Sequence, residues 1–257
     1  MKMILLFLFL NISVAIGAPL KKITLVYEIK PNPPFYLGKK MIDWNRPGIT
    51  LEVIKLLERK LNIEVDFERL PWAIGLEKVK NNEVDGIFHA SFKEQRLKVG
   101  VYPMRNGQPD TNRRLMTQSY FLYKRKNSPL QWDGNTFTNL VGTIGVINDY
   151  AVVGDLKDMN IEVEEVSTQL VNLRRLVQGR VAGIAGLELM NDFHINARPE
   201  EFKEIVKVYP PIAQKPYYLM LSHELVGENP DLAEAIWDAI QDIRVSEEYF
   251  QIAKKYF

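Results

Sequence analysis

The sequence predicts an α/β protein of two lobes, on three observations. Strand-like and helix-like segments alternate between residues 22 and 92 as strand–helix–strand–helix–strand, the pattern of a parallel sheet with crossover helices. A second α/β series runs from 141 to 195. Two further strand-like stretches, 115–124 and 217–221, are placed to carry the chain across to the second unit and back. A cleft then lies between the lobes, and ligand sites favour such clefts.

The elements follow in order. Lys22 to Ile29 alternates as a strand, with Ile23, Leu25, Tyr27 and Ile29 on one face. Pro31, Pro33 and Pro34 force a loop that ends at Phe35 and Tyr36. Thr50 to Leu61 repeats Leu51, Ile54, Leu57 and Leu61 at helical spacing, and Asn62 can close the helix. Ile63 to Phe67 is a second strand, and Pro71 suits the start of a helix from Trp72 to Asn81. Val84 to Phe88 is short and apolar, a buried strand, and Ser91 to Arg96 turns polar and helix-compatible. Tyr102 to Arg114 is a polar loop. Strands are predicted at Val141 to Ile147, Ile161 to Val166 and Val181 to Ala185, with helices at Asp149 to Leu156, Thr168 to Gln178 and Glu188 to Ile195. Ser167 can cap the middle helix and Gly179 can end it. Asn229-Pro230 opens a helix to Ile243, and Ser246 opens the last, to Tyr256.

Composition narrows the function. The chain has 257 residues, enough for one large or two modest cores, and is 46% hydrophobic and 25% charged, as an ordinary globular protein is. A formal charge of +1 argues against a nucleic-acid binder with a basic surface. With no cysteine, disulfides, thiolate metal sites and cysteine nucleophiles are excluded. His89, His194 and His223 show no metal-ligand spacing, so neither a metal nor a cofactor is expected.

At the N-terminus, Lys2 precedes an unbroken apolar run from Met3 to Leu10, and small residues at Ala15 and Gly17 fit cleavage after Gly17. The run is short for a membrane-spanning helix. Residues 1–17 are therefore expected to be a signal peptide, and removing Lys2 with it brings the formal charge to zero. No cysteine follows to carry a lipid anchor, so a bacterial periplasm is the expected location.

The residues with most chemical promise stand together at Ser91 and Arg96. They follow a buried strand, where open α/β sheets place ligands. Arg96 offers a planar fork that matches a carboxylate, and Ser91 a hydroxyl at a helix start, together an anion clamp. The same two residues also read as a helix cap and a solvated surface arginine.

Several stretches resemble, in order, the bacterial extracytoplasmic solute-binding proteins of family 3. They are Pro33-Pro34-Phe35, Gly48-Ile49, Asp85-Gly86-Ile87 with Ser91 and Arg96, Gly145-Val146, Gly179-Arg180 and Ala253-Lys254-Lys255-Tyr256-Phe257. The resemblance spans the mature chain. It implies a two-lobed periplasmic-binding-protein fold of type II, closing on a two-strand hinge over a small solute. The implied divisions are a first lobe at 18–123, a second at 124–216, and a return strand with C-terminal helices at 217–257 completing the first. It also implies that Ser91 and Arg96 hold a ligand carboxylate, that Trp72 packs on the ligand, and that Glu28 and Asn32 contact it from the first lobe.

The second lobe departs from the family pattern. The aspartate that usually holds a ligand ammonium falls at Leu187, with Glu188 next, and Asn148-Asp149-Tyr150-Ala151 replaces a glycine followed by small hydroxyl residues. Either Glu188 or Asp149 takes the carboxylate role, or the ligand is not a standard α-amino acid. Tyr150 can donate its hydroxyl or stack on a ring. Tyr120 and Tyr123 are expected to pack the hinge, and His89 either faces the pocket or is half buried.

Three functions follow. The first is a monomeric periplasmic protein that delivers a small polar, carboxylate-bearing solute to an ABC permease. The second is a module that docks on a sensor receptor in the inner membrane. The third is an enzyme like cyclohexadienyl dehydratase, with Glu188 as acid.

Overall fold

The computed structural model describes residues 21–38 and 41–256, so the expected signal peptide lies outside the described residues. Eight strands form one sheet: β1 Lys21–Glu28, β2 Ile63–Leu70, β3 Gly86–Ser91, β4 Met116–Arg125, β5 Ile144–Ile147, β6 Val163–Val166, β7 Gly183–Leu187 and β8 Ile205–Leu221. Their order is β6-β5-β7-β4-β8-β3-β1-β2. The two ends are parallel, with β1 between β2 and β3 and β5 between β6 and β7. The middle is antiparallel, with β4 and β8 side by side. Two parallel α/β units joined through two long central strands make the two-lobed fold that the alternation predicts. No helix among the described residues is long and apolar enough to cross a membrane.

The helices are α1 Ile49–Leu61, α2 Trp72–Lys80, α3 Ala151–Asp158, α4 Gln169–Val177, α5 Glu188–Asn196, α6 Pro199–Phe202, α7 His223–Glu228, α8 Pro230–Arg244 and α9 Glu247–Lys254. Alternation along β1 sends Ile23, Leu25 and Tyr27 into one core with Leu51, Ile54 and Leu57 of α1, and Val26 into another with Val79, Ile87 and Met220. Phe121 and Tyr123 of β4 pack with Leu173 and Leu176 of α4 in a third. Asn62 closes α1 in the left-handed conformation, as its short polar side chain allows.

Several expectations shift for physical reasons. Ile29 falls outside β1 and is exposed, because the chain leaves the ladder at Glu28. β3 begins at Gly86 rather than Val84, because Asp85 occupies Thr24, accepting its N–H at the carboxylate and donating its own N–H to the Thr24 carbonyl. Thr168, not Ser167, caps α4, accepting from Val171 N–H. The last strand is 17 residues rather than five: Pro210 and Pro211 sit where the register jumps between Val208 and Ala213, and so break no ladder bond. Ser222 caps α7, which the sequence reading passed over. Arg113, in the polar loop predicted from Tyr102 to Arg114, pairs with Glu234 and Asp238 of α8, both at 2.6 Å.

Candidate functional site

A cavity lies at the carboxyl ends of the parallel strands, where such sheets open. Glu28 stands at the end of β1, Ser91 at the end of β3 and Leu187 at the end of β7, and all three line it. Asn32 and Tyr36 enter from the proline loop, whose turn is closed by Asn32 N–H to the Tyr36 carbonyl at 3.0 Å. Tyr150 and the Asp149 turn enter ahead of α3. The cavity is small, about 40 Å³.

Arg96 is the charge at its centre. A 3-10 turn, Glu94–Lys98, brings the guanidinium back under β3, where it is 8% exposed. Its Nη1 donates to the Ser91 carbonyl at 2.8 Å and to Ser91 Oγ at 3.0 Å. Its Nη2 reaches across the cavity to the Asp149 carbonyl at 3.4 Å. The guanidinium lies over the Trp72 ring, 5.3 Å from its centroid. Among the described residues no carboxylate pairs with it. Ser91 is the last residue of a strand and caps nothing, because the turn begins three residues later, at Glu94, with Lys93 at its cap position. The helix-cap reading of Ser91 is therefore corrected, and so is the solvated-surface reading of Arg96.

Three buried polar groups face the same space. Glu28 is buried, and burial raises its carboxyl above the usual range. Asn32 Oδ1 and Gln118 Nε2 are buried with no partner among the described residues. Tyr120 and Tyr217 join phenol to phenol at 2.6 Å, and burial raises the Tyr217 hydroxyl to about 12. Both phenols therefore stay neutral.

His89 takes its place through a bulge. Phe88 pairs with Leu219 and Ala90 with Tyr218, so His89 is the extra residue, in the left-handed region at φ 64. The bulge resets the alternation, so that Ile87 and Ala90 share one core and Phe88 enters the other. Burial lowers the imidazole pKa to about 3, so the ring is neutral. Because the folded value is depressed, this contribution to stability is complete above pH 6.5 and is lost as pH falls from 6.5 towards 3. Urea midpoints measured across that window should therefore fall more steeply for the parent than for His89→Asn, by at most about 1.4 kcal/mol per pH unit. Equal slopes would mean that the ring is hydrated.

Of the eight residues proposed from sequence, seven line the cavity: Glu28, Asn32, Trp72, Ser91, Arg96, Asp149 and Tyr150. Asp149 brings its backbone carbonyl, while the residue itself is exposed. Glu188 is a correction. Leu187 and Glu188 straddle the strand–helix junction, and with Leu187 lining the cavity the Glu188 carboxylate turns to Lys207 at 2.8 Å, beside Asp192 at 2.6 Å. This takes away the acid that the enzymatic reading named. Tyr120, assigned to hinge packing, lines the cavity, whereas Tyr123 is buried and donates to Asp192. Gln118 was missed, though period two puts it on the same face of β4 as the buried Met116, Tyr120 and Leu122.

The chain matches the family model described as bacterial extracellular solute-binding proteins, family 3, over residues 25–257. No curated protein sequence matches it. Among solved structures it is similar to a mutant of ArgBP from T. maritima, at 16% identity and TM-score 0.68, covering 92% of this chain and 95% of that one. It is similar to the arginine-, lysine-, histidine-binding protein ArtJ from Geobacillus stearothermophilus, at 16% identity and TM-score 0.69 over 92% and 95%. A histidine kinase sensor domain with similarity to periplasmic binding proteins aligns at 16% identity and TM-score 0.72 over 93% and 96%. At these identities the likeness is one of fold.

Proposed function

The chain belongs to the bacterial extracellular solute-binding proteins of family 3, and we propose that it captures a small, polar, carboxylate-bearing solute in the periplasm for an ABC importer. The observation that carries this reading is Arg96, buried and without a counter-charge among the described residues. A buried unpaired charge costs several kcal/mol, and a carboxylate fitted to the guanidinium fork returns it. Ser91 holds Nη1, which leaves the other edge of the fork for the anion. The contact from Arg96 to the Asp149 carbonyl spans the cavity, so a ligand that bridges both walls favours closure through its added contacts. The solved relatives named for arginine, lysine or histidine binding support an amino acid or a close relative.

A second reading, capture followed by docking on a membrane receptor, draws on the likeness to the kinase sensor domain. It uses the same cavity and differs only in the partner. The first test is thermal shift of the mature protein against amino acids, small carboxylates, amines and sugars. A ligand that binds only the folded state stabilises it by about 2.7 kcal/mol at a hundredfold excess over Kd. Carboxylate-bearing compounds should raise the midpoint. Stabilisation by sugars or plain amines alone would reject the clamp.

A further inference from the structure

Two long strands carry the chain between the α/β units, and their pairing shows where the molecule can bend. β8 pairs with β3 from Tyr217 onward, and β4 pairs with β7 from Tyr120 onward. Between those limits, residues 117–119 of β4 and 214–216 of β8 pair, among the described residues, only with each other. A two-stranded ribbon has no neighbouring strand to stiffen it. This stretch is the connector on which the second unit swings.

Lys215 stands on the connector, opposite Gln118. Its ammonium lies 2.8 Å from each carboxylate oxygen of Asp155, in α3. The two side chains are 21% and 27% exposed, so salt screens the pair less than it would at the open surface. α3 belongs to the second unit, where it joins β5 to β6. Asp149, whose carbonyl accepts from Arg96 at 3.4 Å, lies just ahead of the same helix. A swing that withdraws α3 from Arg96 therefore also stretches the Lys215–Asp155 pair. Lys93, just past β3, stands in the same field: burial and the Arg96 charge lower its ammonium, and Asp155 and Asp149 act the other way.

Lys207 provides the contrast. It too lies on β8, and it pairs with Glu188 at 2.8 Å and Asp192 at 2.6 Å. Its strand partner, Tyr123, pairs in turn with Ile184 of β7, and α5 follows β7 directly. That cluster rides within the second unit and does not feel the swing.

We infer that Lys215 and Asp155 are positioning residues that hold the second unit closed against the connector, so that closure over the cavity draws part of its stability from an ion pair the solute never touches. Neither residue lines the cavity. Apparent affinity scales with the fraction of protein in the binding-competent form, so the pair adds to affinity from outside the site.

The chain has no cysteine, so two dyes can be attached through Lys80→Cys and Gln178→Cys, exposed positions at the ends of α2 and α4. Single-molecule energy transfer then counts closed and open molecules with no solute present. Asp155→Asn should lower the closed-to-open ratio about two- to fivefold at low salt, the range of a partly exposed ion pair. Raising NaCl should bring the parent down toward the variant and leave the variant nearly unmoved. Lys207→Met should keep the parent ratio. A merely structural role for the pair would lower the urea midpoint and leave the ratio and its salt dependence intact. Equal ratios in the parent and Asp155→Asn overturn the inference, as does a fall in Lys207→Met as large as that in Asp155→Asn. Failure of the solute-binding reading shows separately, in the thermal-shift screen, because closure is counted here without a solute.

Discussion

Arg96→Ala is expected to weaken solute binding by roughly thirtyfold to several thousandfold, the about 2–5 kcal/mol typical of truncating one partner of a buried charge pair. The guanidinium is held on three sides, by Ser91, by the Trp72 ring and by the Asp149 carbonyl, so the substitution removes both the charge and its fixed geometry. The fold should tolerate the change. In the ligand-free protein the buried charge is unpaired, so its removal offsets part of the packing lost with the aliphatic stem. Titration calorimetry with the compound that stabilises the parent best, alongside urea unfolding without ligand, separates the two effects. Arg96→Lys should not restore binding, because an ammonium that bonds Ser91 has no second, coplanar nitrogen to present to the solute. An affinity within threefold of the parent in Arg96→Ala would remove the clamp from the account.

Gly48→Ala is expected to be the most damaging single methyl in the chain. Gly48 sits at φ 114 and ψ 155, a region that is essentially restricted to glycine. A Cβ there would lie 2.5 Å from the Phe35 carbonyl oxygen and 2.6 Å from Tyr36 Cα, both backbone atoms that no rotamer change can move. Backbone strain of about 1–3 kcal/mol and overpacking of about 1–3 kcal/mol act together, against a typical total stability of about 5–15 kcal/mol. The damage should reach the cavity. Ile49 N–H and Thr50 N–H, at the start of α1, donate to the carbonyls of Pro34 and Phe35, and so hold the loop that presents Asn32 and Tyr36. A large drop in the urea midpoint together with weakened binding is the expected pair of results. An unchanged midpoint would show that the loop does not press on α1.

The order of elements was legible because each carries its own period. The α1 stripe of Leu51, Ile54 and Leu57 and the alternation of Ile23, Leu25 and Tyr27 are local signals, and both pack as their spacing requires. Arg96 and Ser91 were legible as a pair because they follow a buried strand at the edge where parallel sheets open. The proline-bearing half of β8 was not legible. Pro210 and Pro211 read as breakers until the register jump shows that the ladder skips them.

Local chemistry thus determined the fold class and an arginine whose fork matches a carboxylate, while the family resemblance marked Leu187 as standing where a carboxylate is usual. Tertiary structure alone decided which polar side chains meet. Glu188 is one residue from the cavity in sequence and is drawn to Lys207, from another strand. From sequence, His89 just past the predicted strand either faces the pocket or is half buried. A bulge set by pairing with β8 turns it to Asn32 and Thr50, which lie 57 and 39 residues away. Period and propensity are properties of neighbours along the chain, whereas a buried hydrogen bond is a property of neighbours in space. Its partner is chosen only when the sheet register and the loops have closed around it.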